Sequence, residues 1–202
     1  MPRSPKQGGP SMHRRSVIAG LAALTLTPPA RAKSPWRPLW NGRTLEGWTR
    51  LGDAAWTVDN GILACDHGPI SYLVSNETFT DFQLRVDFWV SDNANSGIFI
   101  RCTNPAEITV TNSYEVNIFE QRPDQRFATG AIVGVAPVAT VPKTGGRWNH
   151  MDITAKGDHF TVLVNGQRTV DKAADPKHPS GRITLQYGTG VVKFRSVKVL
   201  AI

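Results

Sequence analysis

From Phe82 to Val90 the chain alternates: Leu84, Val86 and Phe88 fall on one side, Gln83, Arg85 and Asp87 on the other. A period of two residues is the signature of a strand buried on one face only. The pattern recurs. Ser96–Cys102 sets Ile98 and Ile100 against Phe99 and Arg101, and Tyr114–Phe119 sets Tyr114, Val116 and Ile118 against Glu115, Asn117 and Phe119. Trp148–Ala155 sets Met151 and Ile153 against Trp148, His150, Asp152 and Thr154. Phe160, Val162 and Val164 lead into Asn165-Gly166, a two-residue hairpin signal. Ile183–Tyr187 and Val191–Leu200 read as two further strands, and no stretch carries a helical apolar period. Short strands at even spacing predict an all-β fold, a two-sheet β-sandwich of the jelly-roll kind.

The opposite half of each alternation decides where function can sit. One face of each strand fills the core, so the polar partners form the candidate ligand surface: Arg85, Asp87, Arg101, Glu115, Asn117, His150 and Asp152. By parity Arg101 and Glu115 both face away from the core in consecutive strands, and their side chains are expected to lie on one face of one sheet. Gly97, beneath Phe99, marks a close backbone approach or a bulge.

Charge argues against nucleic acid as a partner. The 202 residues carry 23 Lys and Arg against 16 Asp and Glu, but five of those bases and none of the acids fall in residues 1–32. A nucleic-acid binder keeps its basic patch in the folded domain. The leader reads instead as an export signal: His13-Arg14-Arg15-Ser16, the apolar run Val17–Leu26, then Ala30-Arg31-Ala32. Its paired arginines suggest twin-arginine export, with the general secretory route also open. Ten apolar residues are too few for a stable membrane span, which needs about 20. The expected organisation is a signal peptide at 1–32, a domain at 33–202 that begins with the linker 33–38, and a periplasmic or secreted location. Cys65 and Cys102 are either a disulfide, as an oxidising compartment allows, or two buried thiols.

An ordered set of short segments then carries a resemblance. Leu39-Trp40-Asn41-Gly42, Leu45-Glu46-Gly47-Trp48, Trp56-Thr57-Val58, Asp59-Asn60-Gly61-Ile62-Leu63, Asp81-Phe82-Gln83-Leu84-Arg85-Val86, Asn95-Ser96-Gly97-Ile98-Phe99-Ile100-Arg101, Tyr114-Glu115-Val116, Thr129-Gly130-Ala131, Trp148-Asn149 and Asn165-Gly166 follow one another from about Trp36 to Ile202. Together they resemble a family of bacterial exported domains, the 3-keto-disaccharide hydrolases. The resemblance implies a concanavalin-like jelly roll and cleavage of sugars already oxidised to a ketone at C3. Two segments depart from the family's pattern. Relatives often carry Gln-Asp-His-Gly where this chain has Gln186-Tyr187-Gly188-Thr189, and Glu-Val-Gln-Ile-Leu-Asp where it has Glu115-Val116-Asn117-Ile118-Phe119-Glu120.

The implied chemistry sets the site requirements. A C3 ketone acidifies the hydrogen on C2, and its removal lets the C1 substituent leave by elimination, with water adding afterwards. Such a reaction needs a general base and an electrophile for the enolate. Glu115, Arg101 and His150 are the expected catalytic residues. Asn95, Asn117, Arg85, Phe99 and Trp148 are the expected sugar contacts, the rings offering stacking surfaces. Asp87 and Glu120 are the oxygen ligands named for a divalent metal such as Ca²⁺ or Mn²⁺. The partner is a small-molecule carbohydrate in every reading. Two alternatives stand beside the enzyme: a non-catalytic carbohydrate-binding module on the same fold, and a two-carboxylate glycosidase. The loops 103–112 and 120–146 are long enough to border a cleft.

Overall fold

A computed structural model describes residues 1, 2, 4 and 35–202. The leader's signal segments lie outside the described residues. The domain from residue 35 onward holds thirteen strands: β1 (Arg37–Pro38), β2 (Trp48–Leu51), β3 (Thr57–Asp59), β4 (Ile62–Cys65), β5 (Ser71–Phe79), β6 (Phe82–Val90), β7 (Asn95–Cys102), β8 (Tyr114–Ile118), β9 (Trp148–Lys156), β10 (His159–Val164), β11 (Gln167–Ala174), β12 (Gly181–Thr189) and β13 (Val192–Ala201). Its helical structure is one 3₁₀ turn at Gln125–Phe127.

Two antiparallel sheets result. One runs β11-β10-β9-β6-β13-β4-β3, with β1 paired to β13, and the other runs β2-β5-β12-β7-β8. The all-β sandwich expected from the alternation is the fold that forms. Arg37, within the expected linker, pairs with Val199 and so belongs to the larger sheet. Two hairpin turns have the residues their geometry requires. Asn165 and Gly166 (φ 51° and 80°) join β10 to β11, and Asn60 and Gly61 (φ 48° and 75°) join β3 to β4. Positive φ at both central positions is the type I′ turn, whose twist matches the flanking strands.

The inward half of each alternation makes the core. Leu84, Val86, Phe88, Met151, Ile153 and Phe194 of the larger sheet meet Leu73, Ile98, Ile100, Val116, Ile118 and Leu185 of the smaller one. Complete burial of such a side chain contributes about 1.5–3 kcal/mol. A second, smaller cluster lies on the outer face of the five-stranded sheet, where Val74, Phe99 and Cys102 pack under Ile108 of the 103–113 loop. Cys65 lies in the main core and Cys102 in this outer cluster, and both are free thiols. Among the described residues no helix is long and apolar enough to cross a membrane.

Candidate functional site

Register places the outward side chains of the five-stranded sheet in two rows. Leu51, Tyr72, Gln186, Gly97 and Asn117 are successive partners across β2, β5, β12, β7 and β8. Thr49, Val74, Thr184, Phe99 and Glu115 form the row beside it. Asn95 begins β7 on this face, its side chain lying against Gly188. A cavity of about 320 Å³ at the β2–β5 end is lined by Thr49, Leu51, Val74, Pro105, Ala106 and Arg182. A larger one of about 530 Å³, around Thr154, Lys156, His159 and Lys172, lies on the other sheet.

Glu115 dominates the electrostatics of this face. It is 8% exposed. Burial pushes its carboxyl from 4.5 up to about 7, with Arg122 the one opposing charge. A low-dielectric surrounding disfavours the charged form, and a single cation in the neighbouring loop does not restore it. Beside it Gln186 is equally buried, and its Oε1 has no hydrogen-bond partner. Both oxygens converge on Gly97: Glu115 Oε1 and Gln186 Oε1 each stand 3.1 Å from the point a Cβ on Gly97 would occupy. The Tyr72 phenol completes the group. Burial raises its pKa, a hydrogen bond from the Gln186 side chain opposes the rise, and the Glu115 charge adds to it. The Tyr72 ring meets Phe99 edge-on at 5.7 Å.

The loop after β8 closes over this strand. Asn117 N–H donates to the Ala131 carbonyl, Gly130 N–H donates to the Asn117 carbonyl, and Asn117 Nδ2 donates to the Phe127 carbonyl at 2.6 Å. That cover explains why all five residues of β8 are buried although alternate ones face outward. Glu120 fastens the base of the loop. It accepts from Lys143 Nζ at 2.8 Å and from the Thr144 and Gly145 N–H groups at 2.8 and 3.2 Å. Burial works against its ionisation, yet these bonds outweigh it and hold the carboxyl below the ordinary range.

Arg101 is not on the Glu115 face. Its φ of +52° breaks the alternation of β7, so the side chain turns back after Ile100 and Cys102 takes the outward position. The guanidinium is 1% exposed and donates to the carbonyls of Thr80, Gly157 and His178 and to Asp81. It lies 5.3 Å from the Phe160 ring centroid. Parity failed here because a bulge inserts one residue into the ladder, which sequence alternation does not reveal.

His150, Asp87, Arg85, Asp152 and Trp148 do come together, but on the outer face of the eight-stranded sheet. β6 and β9 pair Asp87 with His150 and Arg85 with Asp152. His150 contacts Asp87 at 2.7 Å and Asp152 at 3.1 Å, Arg85 holds Asp152 at 2.9 Å, and Arg195 approaches Asp87 at 3.3 Å. The Arg195 guanidinium also lies 4.6 Å from the Trp148 ring centroid. These half-exposed pairs neutralise one another, and each contributes little to stability. The residues named for a metal do not converge either. Asp87 is engaged by His150 and Arg195, Glu120 by Lys143 and two backbone amides, and Asp87 lies on β6 whereas Glu120 lies in the loop after β8. Among the described residues no three His, Cys, Asp or Glu side chains are grouped to hold an ion. This donor set does not fit a resident divalent metal.

The face therefore unites Glu115, Asn117, Asn95 and the covered Phe99 from the expected set with Tyr72, Gln186 and Arg122, which the sequence did not mark as site residues. Gln186 was within reach, since Ile183 and Leu185 alternate with it. Arg122 sits in an irregular loop and β5 carries no clean period, so neither Arg122 nor Tyr72 gave a signal.

Residues 35–200 match the family of 3-keto-alpha-glucoside-1,2-lyase-like domains. Among curated proteins, none matches this sequence. Several solved structures share the fold. A protein of Parabacteroides distasonis, provisionally assigned as a glycosyl hydrolase, is 24% identical with a TM-score of 0.69, over 83% of this chain and 99% of its own. The carbohydrate binding module CBM66 of Bacillus subtilis is 19% identical with a TM-score of 0.62, over 77% and 96%. A Bacillus subtilis protein with a galectin-like fold is 15% identical with a TM-score of 0.60, over 82% and 94%.

Proposed function

The chain belongs to the 3-keto-alpha-glucoside-1,2-lyase-like domain family, and we propose that it cleaves 3-keto-glycosides by elimination, with Glu115 as the base. The observation that carries this reading is the Glu115 carboxyl itself, buried and pushed up to about 7 on the outer face of a sheet. A base poised near working pH combines a usable ionised fraction with real proton affinity.

The steps balance as follows. Glu115 carboxylate takes the proton from C2, and the C–H electron pair becomes the C2=C3 bond of an enolate, with negative charge on the C3 oxygen. Tyr72 and Arg122, each near enough to interact electrostatically with Glu115, supply a hydroxyl donor and positive charge toward that oxygen. The enolate then re-forms the C3 ketone and the C1=C2 bond while the C1–oxygen bond breaks. The departing oxygen takes the proton that Glu115 removed from C2, and Glu115 becomes carboxylate again. Water adding across C1=C2 gives the free 3-keto sugar. Without the ketone the C2 hydrogen is not acidic and the carbanion has no oxygen to hold its charge.

Export belongs to the same proposal, because its motivation is the leader alone: paired arginines, a short apolar run and Ala-Arg-Ala. A second reading, a carbohydrate-binding module, is favoured by the half-buried Tyr72 ring on this face, Phe99 beside it being covered by Ile108. One assay separates the two. Purified protein is incubated with matched 3-keto and non-oxidised glycosides, with and without chelator. Turnover of the keto substrate alone, persisting with chelator, is expected. Saturable binding of keto substrates without any turnover would move the chain to the binding reading.

A further inference from the structure

The cavity of about 320 Å³ at the β2–β5 end takes no part in the elimination chemistry above. Its volume is at the small end of the range for ligand sites. Leu51 and Val74 give it an apolar floor on the outer face of the five-stranded sheet, and Pro105 and Ala106 of the loop after β7 give it a wall. Val74 is buried, whereas Pro105 and Ala106 are exposed, so the loop side is reached from solvent. Arg50 and Arg182 also line the cavity, and none of its lining residues is acidic.

Arg182 stands out among these groups. It is half-buried on β12, where a register shift separates it from Thr184. Its Nη1 donates to the Ser75 carbonyl at 2.8 Å, and among the described residues no acid pairs with it. Drawing a guanidinium partly out of water costs free energy, which an anion meeting its remaining N–H donors recovers. Arg50 adds a second positive charge at the rim, again with no acid paired to it among the described residues. The apolar floor makes a different demand, for a ligand that covers Leu51 and Val74. The one hydroxyl in the lining, that of Thr49, already donates to Asn76 Oδ1 at 2.8 Å. A neutral sugar supplies neither the charge nor the apolar body, and a bare anion supplies only the charge.

We propose that this cavity is a binding site for a small carboxylate with an apolar body, an aromatic acid being the simplest case. The body lies on Leu51 and Val74, and the carboxylate accepts from Arg182, whose planar fork offers the parallel N–H groups a carboxylate fits. The site is separate from Glu115. In the outward row from Glu115 through Phe99 and Thr184, Val74 is three strands away, about 14 Å at about 4.8 Å per strand. Ile108 covers Phe99 between them. The proposal therefore stands whether or not the elimination reading holds.

The test is an NMR titration of the ¹⁵N-labelled protein with cinnamate, its neutral counterpart cinnamamide, and acetate. Cinnamate should saturate with a Kd on the order of 1 mM, shifting the amides of Leu51, Val74, Ala106 and Arg182. Cinnamamide and acetate should each bind at least about tenfold more weakly, one lacking the charge and the other the apolar body. Arg182→Gln should weaken cinnamate binding by about tenfold, and Arg50→Gln by about threefold. Ala106→Trp, a change at an exposed wall position, should weaken it at least about tenfold by filling the cavity. Should Arg182→Gln fail to fold, Arg50→Gln and Ala106→Trp still decide. No saturation by about 10 mM cinnamate overturns the proposal. Equal binding of cinnamamide, acetate binding as tight as cinnamate, or shifts that map away from these residues overturn it too.

Discussion

Replacing Glu115 by Gln tests the burial argument apart from catalysis. The fold raises the Glu115 carboxyl from 4.5 to about 7, so it favours the neutral form. That stabilising contribution is complete below pH 4.5, is lost as pH rises toward 7, and is absent above it. At about 1.4 kcal/mol per pH unit, the difference between the two limits is about 3 kcal/mol. Glutamine has nearly the shape of the neutral acid and never ionises. Glu115→Gln should therefore match the wild type at pH 4 and exceed it by up to about 3 kcal/mol at pH 8.5, with water reaching the carboxylate reducing the gain. Urea unfolding of both proteins at four pH values between 4 and 8.5 reads this difference as a shift in midpoint. All other titrating groups cancel between the two. Midpoint curves that run parallel across the whole range, or a variant weaker than wild type at pH 8.5, would refute the reasoning. The variant should at the same time lose turnover by about two to four orders of magnitude.

Arg101→Ala should destabilise the domain by about 2–4 kcal/mol, since it strands the carbonyls of Thr80, Gly157 and His178 in a buried site. Arg101→Lys should not recover that loss, because an ammonium cannot bridge three carbonyls as the planar fork does. Turnover per folded molecule should stay near wild type in both. Intact stability with lost turnover would return Arg101 to the reaction centre. Cys65, whose thiol burial pushes up to about 11, and Cys102 should be silent to a disulfide reagent at pH 8 and react together on unfolding. Immediate reaction of either in the native protein would contradict their placement.

Regular alternation made the fold legible. The segment read from Phe82 onward is strand β6 to the residue, and Tyr114, Trp148 and Phe160 all fall at or next to a strand start. Strands β2 to β5 gave no comparable signal, being short or carrying runs such as Tyr72-Leu73-Val74 that are buried on both faces. The site was half legible. Glu115 and Phe99 have the parity that places them outward, and Gly97 stood out as a close approach. Arg101 has the same parity and turns inward, because one residue with positive φ reverses every later assignment in its strand. His150 and Asp87 do face outward, but alternation within a strand says nothing about which of two sheets the strand joins. That choice is settled by long-range pairing, here β6 with β9 and β13 rather than with β7. Sequence neighbours β6 and β7 thus end on opposite sheets, and their outward residues end on opposite sides of the molecule.

The account stands on Glu115 removing a proton from C2 of a keto sugar. Its most direct test is the pH profile of kcat/KM for a 3-keto-glycoside carrying hydrogen or deuterium at C2. The expected rate rises through an apparent pKa of about 7, with a primary isotope effect on the limb where chemistry limits, and both features vanish in Glu115→Gln. A flat profile with no isotope effect in a protein that turns the substrate over would place the base elsewhere.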